Sequence, residues 1–357
     1  MKKSSVSTRK SNKQIDIIKI PLPDRFGVIS GKVKNIYPSY FEKFRCIADK
    51  CPDSCCKGWD VVVDDETNEY YKTVGGDFGE KLKSLTEIDS DGDRIFISQN
   101  ERCPFWNDNK LCDIYINLGE KHLCKTCREF PRLTQDYTVF TEHLLSFACP
   151  EAARLMLGSD NAYDDFTNYA LDFSECDYSA ELMRFLLGAR EKLKGIFTDK
   201  SLPFSERLNV AVQFCEKVQS AIDEFDYSAD ISIDMNRKED IIHKKSLSYI
   251  FEMHKEFDIM TDEWREILCK ASEHADEQIP ERYDDLFERM ALYYIYRYFL
   301  TAVDSMDVMC TANRIFCAYI VIGCALMTGE YKAEKLFCLY SKEVEHSYDN
   351  AEYFTMF

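Results

Sequence analysis

The distribution of cysteine is the feature that most constrains this chain. Nine of its sixteen cysteines fall within about 104 residues: Cys46, Cys51, Cys55, Cys56, Cys103, Cys112, Cys124, Cys127 and Cys149. No apolar stretch of a secretory signal follows the basic start of the chain, which favours reduced thiols or thiolate ligands over a disulfide scaffold. We therefore expect a cytoplasmic protein whose first half is a cysteine-ligated metal domain.

The spacing of these cysteines is typical of ligand groups. The first group reads Cys46-x4-Cys51-x3-Cys55-Cys56, and the second reads Cys103-x8-Cys112-x11-Cys124-x2-Cys127. Such short spacings allow tight loops to direct several sulfurs at one centre, although free cysteines also serve as small buried hydrophobic residues. Zinc and iron–sulfur clusters both accept four thiolates, so the spacing leaves open both the metal and the choice between one site and two.

Bulk composition excludes several classes of protein. At 357 residues, with 45% hydrophobic and 13% aromatic residues, the chain can form two or three globular domains. Its formal charge of −18, from 45 basic and 63 acidic residues, disfavours nucleic acid as a partner. The most apolar stretch, residues 315–327, is shorter than a membrane span and predicts a buried core helix.

The pattern of residue types along the sequence predicts a mainly α protein in three parts. Residues 1–34 are expected to form a flexible basic tail with a short extended segment, and residues 35–158 a loop-rich, cysteine-rich metal domain with a few short strands. Within that domain, residues 59–63 and 94–97 resemble strands and residues 65–74 a helix. Residues 159–357 are predicted to be all-helical, from apolar periodicity at 180–197, 206–225, 239–257, 282–303 and 308–327.

Four ordered motifs carry a resemblance to a known family. They are "CPDSCCKGWD", "CPFWNDNKLCDIY", "TCREFPR" and "CPEAARLML", within residues 41–157. On these motifs the chain resembles the flagellin lysine-N-methylase family, itself related to zinc- or iron-chelating cysteine-cluster domains. The resemblance implies transfer of a methyl group from S-adenosylmethionine to lysine side chains of flagellin, with a 4Fe–4S cluster as a second cofactor.

The resemblance also implies a set of metal ligands. Carried over by position, they are Cys46, Cys51, Cys55, Cys56, Cys103, Cys112, Cys127 and Cys149. Cys124 fits the motifs least well and is expected to be a bystander. No glycine-rich strand–loop–helix signature marks a pocket for the cofactor nucleoside, so the sequence does not locate the S-adenosylmethionine site.

Residues beside the cysteines are candidates for other roles. A lysine nucleophile must lose its proton before it accepts a methyl group, which makes the nearby Tyr115 and Asp113 candidate catalytic residues. Arg128 and Arg132 could offset the charge of the thiolates or bind a cofactor carboxylate. Two alternatives to the methylase remain: a noncatalytic zinc or iron module with a helical interaction scaffold, and a structural zinc protein.

Overall fold

The computed structural model describes residues 34–100, 102–159, 171–229, 231–232 and 247–355. By spatial contacts they form two compact units. We call residues 47–130 the cysteine unit, and residues 34–46 together with 131–355 the helical unit. Helices dominate both units, which confirms the predicted mainly α class. The predicted three-part division follows composition along the chain and the units follow contacts in space, so the two sets of boundaries differ.

The cysteine unit is built from short elements. They are α1 Asp65–Thr73, α2 Gly76–Ser84, the antiparallel hairpin of β2 Thr86–Ile88 and β3 Arg94–Phe96, α3 Asp113–Leu118 and α4 Lys125–Glu129. The strand predicted at 94–97 and the helix predicted at 65–74 are confirmed as β3 and α1. The strand predicted at 59–63 is wrong: only Val62 pairs there, in an isolated bridge to Ile95. The chain turns directly into α1 at Asp64, whose side chain accepts the Thr67 N–H.

The turn from α1 to α2 depends on one glycine. A Cβ atom at Gly79 would lie 2.0 Å from the Val74 carbonyl oxygen, closer than any real contact. Only glycine therefore permits the first turn of α2 to pack this closely on the end of α1.

The helical unit combines a small sheet with the longer helices. Strand β5 Phe140–Leu145 lies between β1 Lys34–Ile36, which is parallel to it, and β4 Arg132–Asp136, which is antiparallel. The helices are α5 Pro150–Leu157, α6 Ala180–Thr198, α7 Phe204–Asp223, α8 Leu247–Glu256, α9 Asp262–Ser272, α10 Asp284–Tyr298, α11 Ala302–Ser305, α12 Met309–Met327, α13 Ala333–Tyr340 and α14 Tyr348–Glu352. The helices predicted at 180–197 and 308–327 are confirmed almost residue for residue. The one predicted at 239–257 lies partly outside the described residues.

Helix α12 is the central helix of this unit. By length and apolar composition it is the one described helix that could cross a membrane, but 89% of its most apolar window is buried inside the protein. It packs against α7, α9, α10 and α13. The sequence expectation of a buried core helix at 315–327 is therefore confirmed.

A buried polar turn follows α13. Residues Ser341–Glu345 form a single π-helical turn in which all five side chains are buried. The Glu345 carboxylate receives hydrogen bonds from one guanidinium and three phenols of α10: Arg297 at 2.8 Å, Tyr293 at 2.9 Å, and Tyr294 and Tyr298 at 3.1 Å each. Since its charge and its acceptor sites are matched, the carboxylate can remain inside the unit.

Glu343 lies in the same turn and is 1% exposed. Its carboxylate accepts hydrogen bonds from the Met260 N–H, at 2.7 Å, and from the hydroxyl of Thr261, the residue that caps α9. Burial raises the pKa of Glu343 to about 7, although these hydrogen bonds and the nearby Arg265 oppose the shift. Glu343 therefore keeps its proton to a higher pH in the folded protein than in the unfolded chain.

This shift predicts a pH-dependent stability. Because the folded-state pKa is above the ordinary value of 4.5, the stabilisation is complete below pH 4.5 and is lost as pH rises through about 7. A Glu343→Gln variant mimics the protonated form. Between pH 5 and pH 8 the free energy of unfolding should fall by about 2–3 kcal/mol more in the wild type than in the variant. Urea unfolding at both pH values measures this difference, and equal pH profiles would contradict the assignment.

Candidate metal centre

Four cysteines of the cysteine unit pack around one aromatic core. Cys124 is 1% exposed and belongs to that core, together with Tyr71, Phe96 and Phe105. Cys103, Cys112 and Cys127 are partly buried and pack against it. The rings of Phe96 and Phe105 meet edge to face, with centroids 4.9 Å apart. Thiols that are up to 24 residues apart in sequence therefore share one apolar wall.

Cys103 and Cys112 are positioned by a closed loop. The Cys103 N–H donates to the Cys56 carbonyl at 2.8 Å, which places the paired cysteines of the first group beside the second group. Trp106 and Cys112 pair in an antiparallel bridge, and the Asp113 N–H donates to the Phe105 carbonyl at 2.8 Å. These contacts fold the chain back so that Cys112 begins α3 near Cys103.

Cys124 and Cys127 are positioned by contacts at the start of α4. The Asp64 carboxylate accepts the Lys125 N–H at 2.7 Å, and the Thr126 hydroxyl donates to the Val62 carbonyl at 3.0 Å. The Tyr71 hydroxyl donates to the His122 carbonyl at 2.7 Å. The segment that carries Cys124 and Cys127 is thus attached on both sides to the chain around α1.

Backbone N–H groups are directed at the sulfurs of this group. The Phe105 N–H donates to the Cys103 sulfur, and the Ile114 and Tyr115 N–H groups donate to the Cys112 sulfur. The Cys124 sulfur receives the Cys127 N–H. N–H groups directed at sulfur stabilise thiolates, and such hydrogen bonds tune iron–sulfur clusters.

The electrostatics of these thiols reflect burial and mutual repulsion. Burial raises the pKa of Cys103 to about 12 and also raises the pKa of Cys112. A hydrogen bond between the side chains of Cys127 and Cys124 raises the pKa of Cys127 and lowers that of Cys124. Without a cation, several thiolates would repel one another here; a bound metal centre would remove that repulsion.

The paired cysteines of the first group lie near the same place. Cys55 interacts electrostatically with Cys103, Cys112 and Cys127, and Cys56 interacts with Cys127. The Trp59 indole N–H donates to the Cys55 carbonyl at 2.9 Å. Cysteines of the two groups therefore lie close enough to interact, and the ligand roles assigned to them stay a prediction.

The predicted ligands fall in both units. Cys51, Cys55, Cys56, Cys103, Cys112 and Cys127 belong to the cysteine unit, whereas Cys46 and Cys149 belong to the helical unit. Cys46 is exposed, and Cys149 immediately precedes α5. All sixteen cysteines are among the described residues, and none of them forms a disulfide. Within the described part of the chain, no three His, Cys, Asp or Glu side chains are arranged to hold a single metal ion.

Known proteins share sequence with parts of this chain. The FliB lysine N-methylase C-terminal domain family matches residues 190–357. The flagellar biosynthetic protein FliU of Salmonella muenchen is 31% identical over 134 residues, which are 35% of this chain and 78% of FliU. The chain belongs to the flagellin lysine N-methylase family. The family assignment confirms the resemblance found in the sequence motifs.

The coverage of the longer relatives is smaller. Lysine-N-methylases of Salmonella typhimurium and Salmonella choleraesuis are each 31% identical over 133 residues. The match covers 35% of this chain and 33% of each of those proteins. No solved structure matches this member of the family.

The candidate catalytic residues of this family member lie on α3. Asp113 forms an ion pair with Lys81 at 3.1 Å and accepts a hydrogen bond from the Asn107 amide at 2.9 Å. Tyr115 is 53% exposed. Asp113 therefore anchors the start of α3 beside Cys112, whereas Tyr115 is accessible to a substrate. Both catalytic roles stay predictions.

The candidate cofactor arginines lie in different units. Arg128 is in the cysteine unit, where its guanidinium donates to the Leu123 carbonyl at 3.3 Å and its charge lowers the pKa of Cys124. Arg132 begins β4 in the helical unit and lies over the Phe44 ring, 5.1 Å from its centroid. The electrostatic role proposed for Arg128 thus has a partner in the structure, while carboxylate binding by either arginine stays a prediction.

Sequence reasoning missed several residues that build the site. Asp64, Tyr71 and Thr126 fix the backbone that carries Cys124 and Cys127. The one available signal was Asp64, which stands just before an acidic helix start as a capping residue does. Its second contact, with Lys125, spans 61 residues and has no local sequence signature.

Asp64 gives a test of this framework. An Asp64→Ala variant removes both the α1 cap and the acceptor of the Lys125 N–H, and should destabilise the cysteine unit by about 1–3 kcal/mol. Hydrogen–deuterium exchange should become faster in residues 124–129. Asp65→Ala, at the exposed next position, is the matched control and should leave that segment protected. Equal exchange in the two variants would refute the bridging role of Asp64.

Proposed function

We propose that this protein is a protein-lysine N-methyltransferase that methylates lysine side chains of flagellin with S-adenosylmethionine and uses a 4Fe–4S cluster. The family assignment supports lysine methylation, since relatives are named lysine-N-methylase. The name of FliU supports a flagellar substrate. The packing of four thiols, those of Cys103, Cys112, Cys124 and Cys127, against one core in the cysteine unit is the observation that supports the cluster.

The donor set fits an iron–sulfur cluster. Thiolates are the ligands that such clusters require, and the backbone N–H groups at Cys103, Cys112 and Cys124 are typical of their surroundings. In a 4Fe–4S cluster each thiolate binds a different iron, so its four sulfurs stand farther apart than the ligands of one ion. When bound, the cluster would supply iron coordination for the amino-acid end of the cofactor.

Methyl transfer to lysine requires one exchange of bonds and the loss of one proton. The lysine nitrogen forms a bond to the methyl carbon while the sulfonium–methyl bond breaks, and the sulfonium becomes a neutral thioether. The nitrogen must lose one proton, because a free lysine is almost fully protonated at neutral pH. The protein therefore has to orient the amine in line, exclude water and accept the proton.

The residues near the cysteines suit parts of this task. Tyr115 is exposed next to the thiol-bearing α3 and offers a phenolic oxygen to an approaching amine. Asp113, held by Lys81 and Asn107, keeps that helix fixed. Arg128 supplies positive charge beside Cys124. The formal charge of −18 favours the approach of lysine-bearing protein surfaces.

Anaerobic purification and a methylation assay test the proposal together. We expect a brown protein with iron and acid-labile sulfide in equal amounts, and methylated lysines in purified flagellin after incubation with S-adenosylmethionine, detected by mass spectrometry. Cys55→Ala should reduce methylation by about tenfold or more, since changes around metal sites commonly have effects of this size. Cys269→Ala, at an exposed cysteine of α9, is the matched control and should leave methylation unchanged.

Three other outcomes would contradict the proposal. A colourless protein with stoichiometric zinc and no methylation would favour the structural zinc alternative. A brown protein that does not methylate flagellin would favour a noncatalytic metal module. Methylation that persists in full after loss of iron would contradict the role of the cluster.

A further inference from the structure

An exposed phenylalanine follows the end of α7 in the helical unit. Phe225 is 72% exposed, more than any other large hydrophobic side chain in the described part of the chain. Its ring meets the Tyr227 ring edge to face, with centroids 6.5 Å apart, and Tyr227 lies 5.9 Å from the ring of Phe185 in α6. The Phe225 ring is therefore supported by a neighbouring ring, while most of its surface stays in water.

The backbone at Phe225 is in the left-handed region, with a φ of 56°. The Phe225 N–H donates to the Ile222 carbonyl at 3.1 Å, and the Asp226 N–H donates to the Ala221 carbonyl at 2.9 Å. This is the hydrogen-bond pattern of a Schellman motif, in which glycine usually occupies the left-handed position because a side chain there is strained. A ring that remains mostly in water does not recover this cost by packing. The stability of α7 therefore does not explain the phenylalanine.

Three carboxylates lie on either side of this phenylalanine in the chain. Asp223, Glu224 and Asp226 are exposed, and α7 has no basic residue in its last turn. The carboxyl end of a helix carries partial negative charge, so acidic side chains there are unfavourable. Hydrogen bonds orient two of the carboxylates: the Gln219 amide donates to Asp223 at 2.9 Å, and the Ser228 hydroxyl donates to Asp226 at 2.7 Å. The charges thus also oppose the stability of the helix end.

This conflict between local preference and fold has a functional explanation. Positions where a sequence breaks local rules without a gain in stability are commonly functional sites. Aromatic side chains are enriched in protein interfaces, where they anchor a partner by filling an apolar pocket. A rim of carboxylates selects a partner that carries lysine or arginine side chains.

We propose that residues 223–226, which we call the α7 tip, form a docking surface for a lysine-bearing protein, with Phe225 as its anchor. The ring enters an apolar pocket of the partner, and the carboxylates around it pair with cationic side chains. The inference rests on the proposed function for the identity of that partner, flagellin. It adds a surface for recruiting the substrate that is separate from the chemistry.

Binding of purified flagellin to the intact chain tests the docking surface without any measurement of methylation. Phe225→Gly suits the left-handed backbone and removes the ring. It should therefore weaken binding by about tenfold or more without lowering the melting temperature. Phe225→Tyr keeps a ring and should bind as the wild type does.

Ile88→Thr is the matched control for the loss of an exposed apolar side chain beside acidic residues. Ile88 is 53% exposed and lies between Glu87 and Asp89, but it belongs to the ordinary strand β2. This variant should bind flagellin with unchanged affinity.

The combined substitution of Asp223→Asn and Glu224→Gln tests the carboxylates. Because salt screens exposed charges, wild-type binding should weaken as ionic strength rises, and it should do so less in the double variant. The variant should also unfold at an equal or higher temperature, since two anions leave the carboxyl end of a helix. The same salt dependence in both proteins would overturn the proposed charge complementarity.

Four results would overturn the docking surface as a whole. Two concern binding: equal affinity of wild type and Phe225→Gly for flagellin, and no binding of flagellin to the wild type. The third is a lower melting temperature of Phe225→Gly, which would show that the ring stabilises the helix end. The fourth is a dimer that depends on Phe225, seen by analytical ultracentrifugation in a protein that does not bind flagellin, which would assign the α7 tip to self-association.

The docking surface and the proposed function fail in different ways. Methylation of flagellin with the same KM in wild type and Phe225→Gly would leave the function standing and overturn the docking surface. Binding of flagellin that depends on Phe225, in a wild-type protein that methylates no lysine, would do the reverse.

Discussion

The cysteine unit depends on the packing of a small aromatic core against thiols. Tyr71, Phe96 and Phe105 come from separate elements, and burying each ring contributes about 1.5–3 kcal/mol. That energy must oppose the cost of burying ionisable thiols, which the raised pKa values of Cys103 and Cys112 express: burial is the main cause of both shifts, and neighbouring thiolates add to it. The core therefore brings the sulfurs together as neutral thiols. A metal centre would then replace their protons and add its own binding energy to the fold.

The sequence predicted the long elements of the fold better than the short ones. Helices α6 and α12 follow from apolar periodicity that persists over five turns, and their bounds are close to those expected. Strand β5 carries Glu142, which is buried against Arg190 at 2.8 Å, so its pattern does not alternate as an ordinary strand does. The π-helical turn could not be predicted from the sequence either, because Glu343 and Glu345 resemble surface residues until their partners on other elements are known.

Like the fold, the candidate site could be predicted from the sequence where it depends on local spacing, and not where it depends on contacts between distant residues. Cysteine spacing is local, and it predicted two ligand groups; Cys55 and Cys56 of the first group interact electrostatically with cysteines of the second. The contacts that decide which thiols share a wall are distant: Asp64 reaches Lys125, and the Tyr71 hydroxyl reaches the His122 carbonyl. The spacing of Cys124 and Cys127 is visible in the sequence, but the burial of Cys124 in the aromatic core has no local signature and follows only from the fold.

Of the two units, the helical unit contains more of the buried ionisable groups in the described residues, and these groups stabilise its fold. Glu345 already accepts hydrogen bonds from Arg297 and from the tyrosine hydroxyls around it, so it has neither a free charge nor a free acceptor for a substrate amine. Arg190 and Glu142 neutralise each other in the same way between α6 and β5. Removing one partner of such a pair is costly because the other charge remains buried. These networks therefore fix the relative positions of helices and sheet within the unit, and their charges are already neutralised inside it.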